Sequence, residues 1–201
     1  MSAADVKALR ERTGAGMMDC KAALEEAGGD TDKAIELLRV KGQASAAKRS
    51  GRSTREGAVS SYIHATGRVG VLVEVQCETD FVARTDDFRE FGREVAVHIA
   101  GAAPPPLYVS KDEIPDDARD AERNVLDLRA REDGKPDEVV EQVVGGQLAK
   151  WEREVALLEQ EHINTDRYEG KTIGELRAEI ASRTGENVEI TRFARFQVGE
   201  E

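Results

Sequence analysis

Aromatic residues are scarce in this chain: one Trp, three Tyr and five Phe among 201 residues, 4% in all. A core built from such a chain has to be mainly aliphatic, and each exposed aromatic becomes conspicuous. Cysteine is nearly absent as well. Cys20 and Cys77 are too few for a disulfide framework, and each sits in an apolar pattern that suits a buried free thiol. Basic charge is outweighed, with 29 Lys and Arg against 40 Asp and Glu and a formal net charge of −11. That balance argues against sequence-independent nucleic-acid binding, which rests on cations against phosphate. Long apolar runs are missing too. The stretch from Val95 to Leu107 is interrupted by His98 and by Pro104-Pro105-Pro106, so it does not read as a membrane span. Met1 to Arg10 carries no apolar signal-peptide core. There is no Walker loop, no His/Cys cluster at metal-ligand spacing and no carboxylate pair set to flank a cleft. The expectation is a soluble cytoplasmic protein without cofactor, metal or catalytic residues of its own.

Against that background one stretch stands out, Cys77-Glu78-Thr79-Asp80-Phe81-Val82-Ala83-Arg84. Upstream, Val69, Val71, Val73 and Val75 alternate as in a half-buried strand. Downstream, Phe88, Phe91, Val95 and Ile99 recur at helical spacing over 86–101, with Thr85 as the N-cap. Thr79 to Arg84 is thus a short corner between two buried elements, with Asp80 beside Phe81. Two readings of Phe81 stand at this point. It folds back into its own core, or it is offered to a partner as a rigid aromatic anchor.

The rest of the chain reads as an α+β protein. Residues 1–40 form a small module of three helices: one to about Arg12, one from Met17 to Gly28-Gly29, and one capped by Asp30 with Ala34, Leu37 and Leu38 inward. Met17 and Met18 are either core filler, at least one of them, or a soft apolar tip for a partner. Residues 41–57 are small and basic without apolar period and read as a solvated linker, with residual helix at its start, lacking aromatics for base stacking. Residues 58–201 form a sheet-and-helix core. Its three antiparallel strands are expected near 58–65, 69–76 and 188–198, with a turn at Thr66-Gly67. Ser110-Lys111-Asp112-Glu113 reads as a capping box, with helix resuming after Pro115 to about Arg131 and punctuation at Gly134-Lys135-Pro136. A further helix is expected to carry Val139, Val140, Val143, Val144 and Leu148 on one face and to continue through Leu158, loosened at Gly145-Gly146. Thr172-Ile173-Gly174-Glu175 opens the last helix, and Phe193 and Phe196 fall on opposite faces of the last strand. A nucleophilic dyad of Cys77 and His64 would need a shared face and a third orienting group, which nothing nearby supplies.

Glu74-Val75-Gln76-Cys77-Glu78-Thr79-Asp80-Phe81-Val82-Ala83-Arg84 closely resembles a motif of translation elongation factor Ts, the bacterial nucleotide-exchange factor for elongation factor Tu. Leu9 to Leu24, which includes Arg12-Thr13-Gly14-Ala15-Gly16-Met17-Met18, and the ending Gly185-Glu186-Asn187-Val188 resemble the same family. Gln76, Ala22 and Glu161 stand where that family more often carries Asn, a basic residue and Pro. The resemblance implies a ubiquitin-associated-like N-terminal module and elongation factor Tu as partner. It implies a corner Thr79, Asp80, Phe81 and Val82 that displaces magnesium and loosens GDP, with further contacts from Arg12, Met17, Met18 and His64. Because only one sheet can be built, where long relatives have two, it also implies a homodimer.

Overall fold

A computed structural model of the chain describes residues 2–134 and 136–200; Met1, Lys135 and Glu201 lie outside the described residues. The architecture is α+β, with a three-stranded antiparallel sheet in the order β1-β2-β3 and helices around it. The strands are β1 (Glu56–Ile63), β2 (Val69–Cys77) and β3 (Val188–Gln197). The helices are α1 (Ala3–Thr13), α2 (Met17–Glu26), α3 (Thr31–Arg49), α4 (Asp80–Ala83), α5 (Asp86–Gly101), α6 (Asp116–Glu132), α7 (Asp137–Val155), α8 (Thr165–Tyr168) and α9 (Ile173–Thr184). The chain divides into two compact units. One gathers Met1–Ser60, Val73–Arg93 and Glu175–Thr191, and the other Ser61–Leu72, Glu94–Gly174 and Arg192–Glu201.

The first unit contains the three-helix module. Its core is Val6, Leu9, Cys20, Ala23, Leu24 and Ala34, with Ile35, Leu37 and Leu38 packed against it. Ser2 and Asp5 close a reciprocal capping box on α1, and Asp30 accepts the backbone N–H groups of Asp32 and Lys33 to start α3. Helix α3 does not stop near residue 40. It runs on through Arg49, so the irregular linker expected over 41–57 shrinks to the residues between Arg49 and Glu56. Two things sustain the extra turns. Ala44, Ala46 and Ala47 are strong helix formers, and α9 offers partners: Arg39 pairs with Glu175, and Arg49 Nη1 donates to Ala181 O at 3.3 Å. In the same unit a Cβ on Gly92 would lie 2.4 Å from Ser60 Oγ and 3.6 Å from Val75 Cγ2, so α5 lies close against the strands there.

The hairpin turn also differs from expectation. His64 N donates to Val69 O at 2.9 Å and Gly67 N to His64 O at 2.7 Å, which places 64–68 in the turn and starts β1 at Glu56. Along β3 the alternation slips where Thr191 and Arg192 are both exposed, as at a bulge. Beyond it Phe193 is half-buried and Phe196 is exposed.

In the second unit α6 and α7 pair through Leu126, Ala130, Val140, Val144 and Leu148, with Trp151 packed against them. The apolar stripe of α7 is narrower than expected, since Val139 is exposed and Val143 only half-buried. Gly145-Gly146 does not interrupt the helix, which ends at Val155 because Ala156 turns extended. Leu158 therefore lies in a separate 3-10 turn. The capping box expected at Ser110 does not form: its hydroxyl caps no backbone N–H and instead donates to Glu113 Oε1 at 3.3 Å, and only one 3-10 turn follows because Pro115 holds Ile114 extended. Arg119 closes the break: it donates to Lys111 O and Ile114 O at 2.6 Å each and pairs with Glu152 at 2.8 Å.

Two buried histidines complete this unit. His98 Nε2 lies 2.8 Å from Gln160 Oε1, while its Nδ1 accepts the N–H of Ile163 at 3.2 Å. His162 Nδ1 accepts the N–H of Asn164 at 3.0 Å, and its Nε2 faces Glu94 O at 3.3 Å. Each ring is therefore held neutral. Burial pushes His98 down to about 4, the Gln160 bond opposing, and burial pushes His162 down as well.

A histidine depressed in the folded state adds stability that is complete above the unfolded pKa and lost as pH falls. Denaturant unfolding is expected to show His98 giving up on the order of 3 kcal/mol between pH 6.5 and 4, and His98→Gln should flatten that slope. At Gly57 a Cβ would meet Val75 O at 2.2 Å and Gln76 Cα at 2.8 Å. Gly57→Ala is expected to cost roughly 1–3 kcal/mol in the same measurement.

Candidate functional site

The corner after β2 is built by burial on both sides. Val73, Val75 and Cys77 point into the core on the strand, and Phe88 and Phe91 do so on α5. Between them the chain must turn within a few residues. Thr79 is extended, and its Oγ1 accepts the N–H of Val82 at 3.4 Å to cap the single turn of α4. Cys77 Sγ donates to Thr79 O at 3.2 Å. Burial, then the nearby Glu186 carboxylate, pushes that thiol up to about 11, which removes it as a nucleophile at neutral pH. Thr85 Oγ1 donates to Val82 O at 2.8 Å and accepts the N–H of Phe88 at 3.4 Å, which starts α5.

What the corner presents is Phe81, which is 80% exposed. Its own protein does not take the ring into a core. Asp80 pairs with Arg84 at 2.8 Å across the turn, Val82 is half-buried, and Ala83 is the residue of α4 that packs inward.

Glu186 and Asn187, between α9 and β3, hold the corner from across the sequence. Glu186 Oε2 accepts the N–H groups of Glu78 and Thr79 at 3.0 Å each, and its Oε1 accepts the Thr79 hydroxyl at 2.6 Å. The exchange is mutual. Glu78 Oε1 accepts the N–H of Asn187 at 2.7 Å, and that bond, aided by Arg52, holds the Glu78 carboxyl below the usual carboxylate range. Asn187 is buried, and its side-chain amide donates to Arg52 O at 3.0 Å and Ser50 O at 3.4 Å. Sequence reasoning did not select Glu186 or Asn187. Gly185 turns the chain there at a left-handed φ of 77°, but nothing local tells which backbone a carboxylate more than a hundred residues away will bind.

The other expected contact residues belong to other elements. Arg12, at the end of α1, is exposed and 3.8 Å from Asp32. Met17 and Met18, in the first turn of α2, are 49% and 73% exposed. Neither is core filler, because Cys20, Ala23 and Leu24 already occupy the inward face of that helix. His64 belongs to the second unit, in the β1–β2 turn, where its Nδ1 lies 2.8 Å from Thr66 Oγ1 and its ring stands edge-on to Tyr62. Among the described residues no group of three or more His, Cys, Asp or Glu is placed to hold a metal ion, and no helix is long and apolar enough to cross a membrane.

Comparison with known proteins fits this layout. The family model described as elongation factor TS matches residues 3–200. Elongation factor Ts of Caldanaerobacter subterraneus subsp. tengcongensis is 52% identical over 200 residues, covering 100% of this chain and 98% of that protein. The same factor from Carboxydothermus hydrogenoformans is 53% identical over 195 residues, covering 97% and 88% of the two. That from Rubrobacter xylanophilus is 52% identical over 193 residues, covering 96% of each. With the match running from the first helix past the last strand, and with the Thr79–Val82 corner inside it, the chain belongs to the elongation factor Ts family.

Proposed function

We propose that this protein is the guanine-nucleotide exchange factor for elongation factor Tu, acting in the cytoplasm without covalent chemistry, cofactor or nucleic-acid contact of its own. It binds the GDP-bound partner and promotes GDP release by inserting Phe81 near the magnesium and phosphate site, with Thr79, Asp80 and Val82 forming the rest of the inserted corner. The observation that carries this reading is a large aromatic left in water on a backbone that is anchored on every side. A rigid, exposed aromatic loses little entropy on docking, which is what makes such residues binding hot spots.

Magnitudes say that the wedge does not act alone. Burying one Phe supplies roughly 1.5–3 kcal/mol, or about one to two powers of ten in an equilibrium constant. Exchange is a coupling between two ligands of one protein, so whatever loosens GDP is loosened by GDP to the same degree. Arg12, Met17 and Met18 then serve as a grip on a neighbouring helix of the partner. Both methionines are exposed and flexible enough to mould to an apolar surface. His64, in its exposed turn, supplies a further contact.

The protein acts as a homodimer in this reading. The outward face of the sheet in the second unit exposes Ile63, Leu72, Phe196 and Val198 together around a shallow concavity of about 470 Å³. Arg68 is the one charged residue lining it. A mainly apolar face of this kind suits its own copy across a two-fold axis, where the same patch meets itself.

Phe81→Ala is expected to slow fluorescent-GDP release from elongation factor Tu by roughly 10–100-fold, with unfolding free energy within about 0.5 kcal/mol of the parent. Parental release rates would end the wedge reading. Light scattering at micromolar concentration should give twice the 22.0 kDa chain mass, and Leu72→Glu with Phe196→Glu should return the single-chain mass. A parent protein of 22.0 kDa would remove the dimer.

A further inference from the structure

We propose that Glu186 is a positioning residue for Phe81: it fixes the backbone of the corner so that the ring meets the partner in one orientation. The inference rests on the wedge reading and adds to it a residue more than a hundred positions away in sequence.

The need for such a residue follows from what Phe81 lacks. A ring that is 80% exposed takes little of its orientation from packing. The helix that carries it, α4, has four residues, too few to be stable through its own hydrogen bonds. The Asp80–Arg84 pair at 2.8 Å is exposed and of the kind that adds little. Orientation must therefore come from the chain entering the turn, and there Glu186 takes three donors at once. Its carboxylate binds the N–H groups of Glu78 and Thr79 at 3.0 Å and the Thr79 hydroxyl at 2.6 Å. That hydroxyl is also the α4 cap, accepting from Val82 N at 3.4 Å. One side chain thus sets the direction of the two peptide planes that lead into Phe81, and through Thr79 it orients the first turn.

The arrangement is reciprocal, which separates it from a chance surface contact. Glu78 returns the bond by accepting Asn187 N at 2.7 Å, and Asn187, itself buried, ties the same loop to Arg52 O. Hydrogen bonds to an ionised carboxylate are about twice as strong as neutral ones. Two of the three here are directed at backbone N–H groups, so they constrain the direction of the chain itself.

The test is a double-mutant cycle in fluorescent-GDP release from elongation factor Tu, using Glu186→Ala and Glu186→Asp, each with and without Phe81→Ala. With Phe81 present, both Glu186 variants are expected to lower the maximal release rate by roughly tenfold, the size of one lost set of bonds to a charged group. The factor concentration giving half-maximal release should barely change, because Met17 and Met18 still bind. In the Phe81→Ala background neither variant should cause further loss. Glu186→Gln, which keeps an acceptor oxygen for the two N–H groups, should recover most of the rate. Equal losses in both backgrounds, or a parental rate for Glu186→Ala, would overturn the proposal. Should Glu186→Ala fail to fold, Glu186→Asp, which keeps the charge but withdraws it by one methylene, decides in the same cycle. The wedge reading fails separately, if Phe81→Ala alone leaves release unchanged.

Discussion

Burial of the inward face of β2 is the constraint from which the other features descend. Val73, Val75 and Cys77 are each almost wholly removed from water, and a shift of one residue would turn all of them outward. The register of the strand is therefore fixed, and with it the point at which the chain leaves the sheet. Phe88, buried at the start of α5, fixes where the chain must arrive. The residues between have no freedom in their end points. They are free only in what they display, and the display is an aromatic ring facing solvent.

This explains which parts were legible in the sequence. The period-two run of valines and the three-and-four spacing of Phe88, Phe91, Val95 and Ile99 placed β2 and α5 closely, because each pattern records burial of one face. The corner was legible as a consequence of its neighbours. The exposure of Phe81 was not, since a Phe in a short turn reads equally as core or as anchor. Glu186 was illegible for a different reason: a carboxylate carries no periodicity, and its partners at Glu78 and Thr79 are reached only through the fold.

The helix found within residues 41–57 was hidden for a similar reason. Six cations without a carboxylate from Leu37 through Arg55 resemble a solvated tether. In the folded protein Arg39 meets Glu175, Lys41 meets Glu26 and Arg52 meets Glu78. Each of these pairs contributes little on its own. Together with the alanines they turn most of an expected tether into helix, so α3 of the three-helix module runs on to Arg49.

Cys77 adds a chemical consequence. A thiol held near 11 is ionised in only about one molecule in ten thousand at neutral pH. Only the thiolate attacks peroxides and disulfides, so sulfenylation and mixed-disulfide formation at this sulfur are slow. The mounting of Phe81 is in this way protected from oxidative damage by the same burial that sets its geometry.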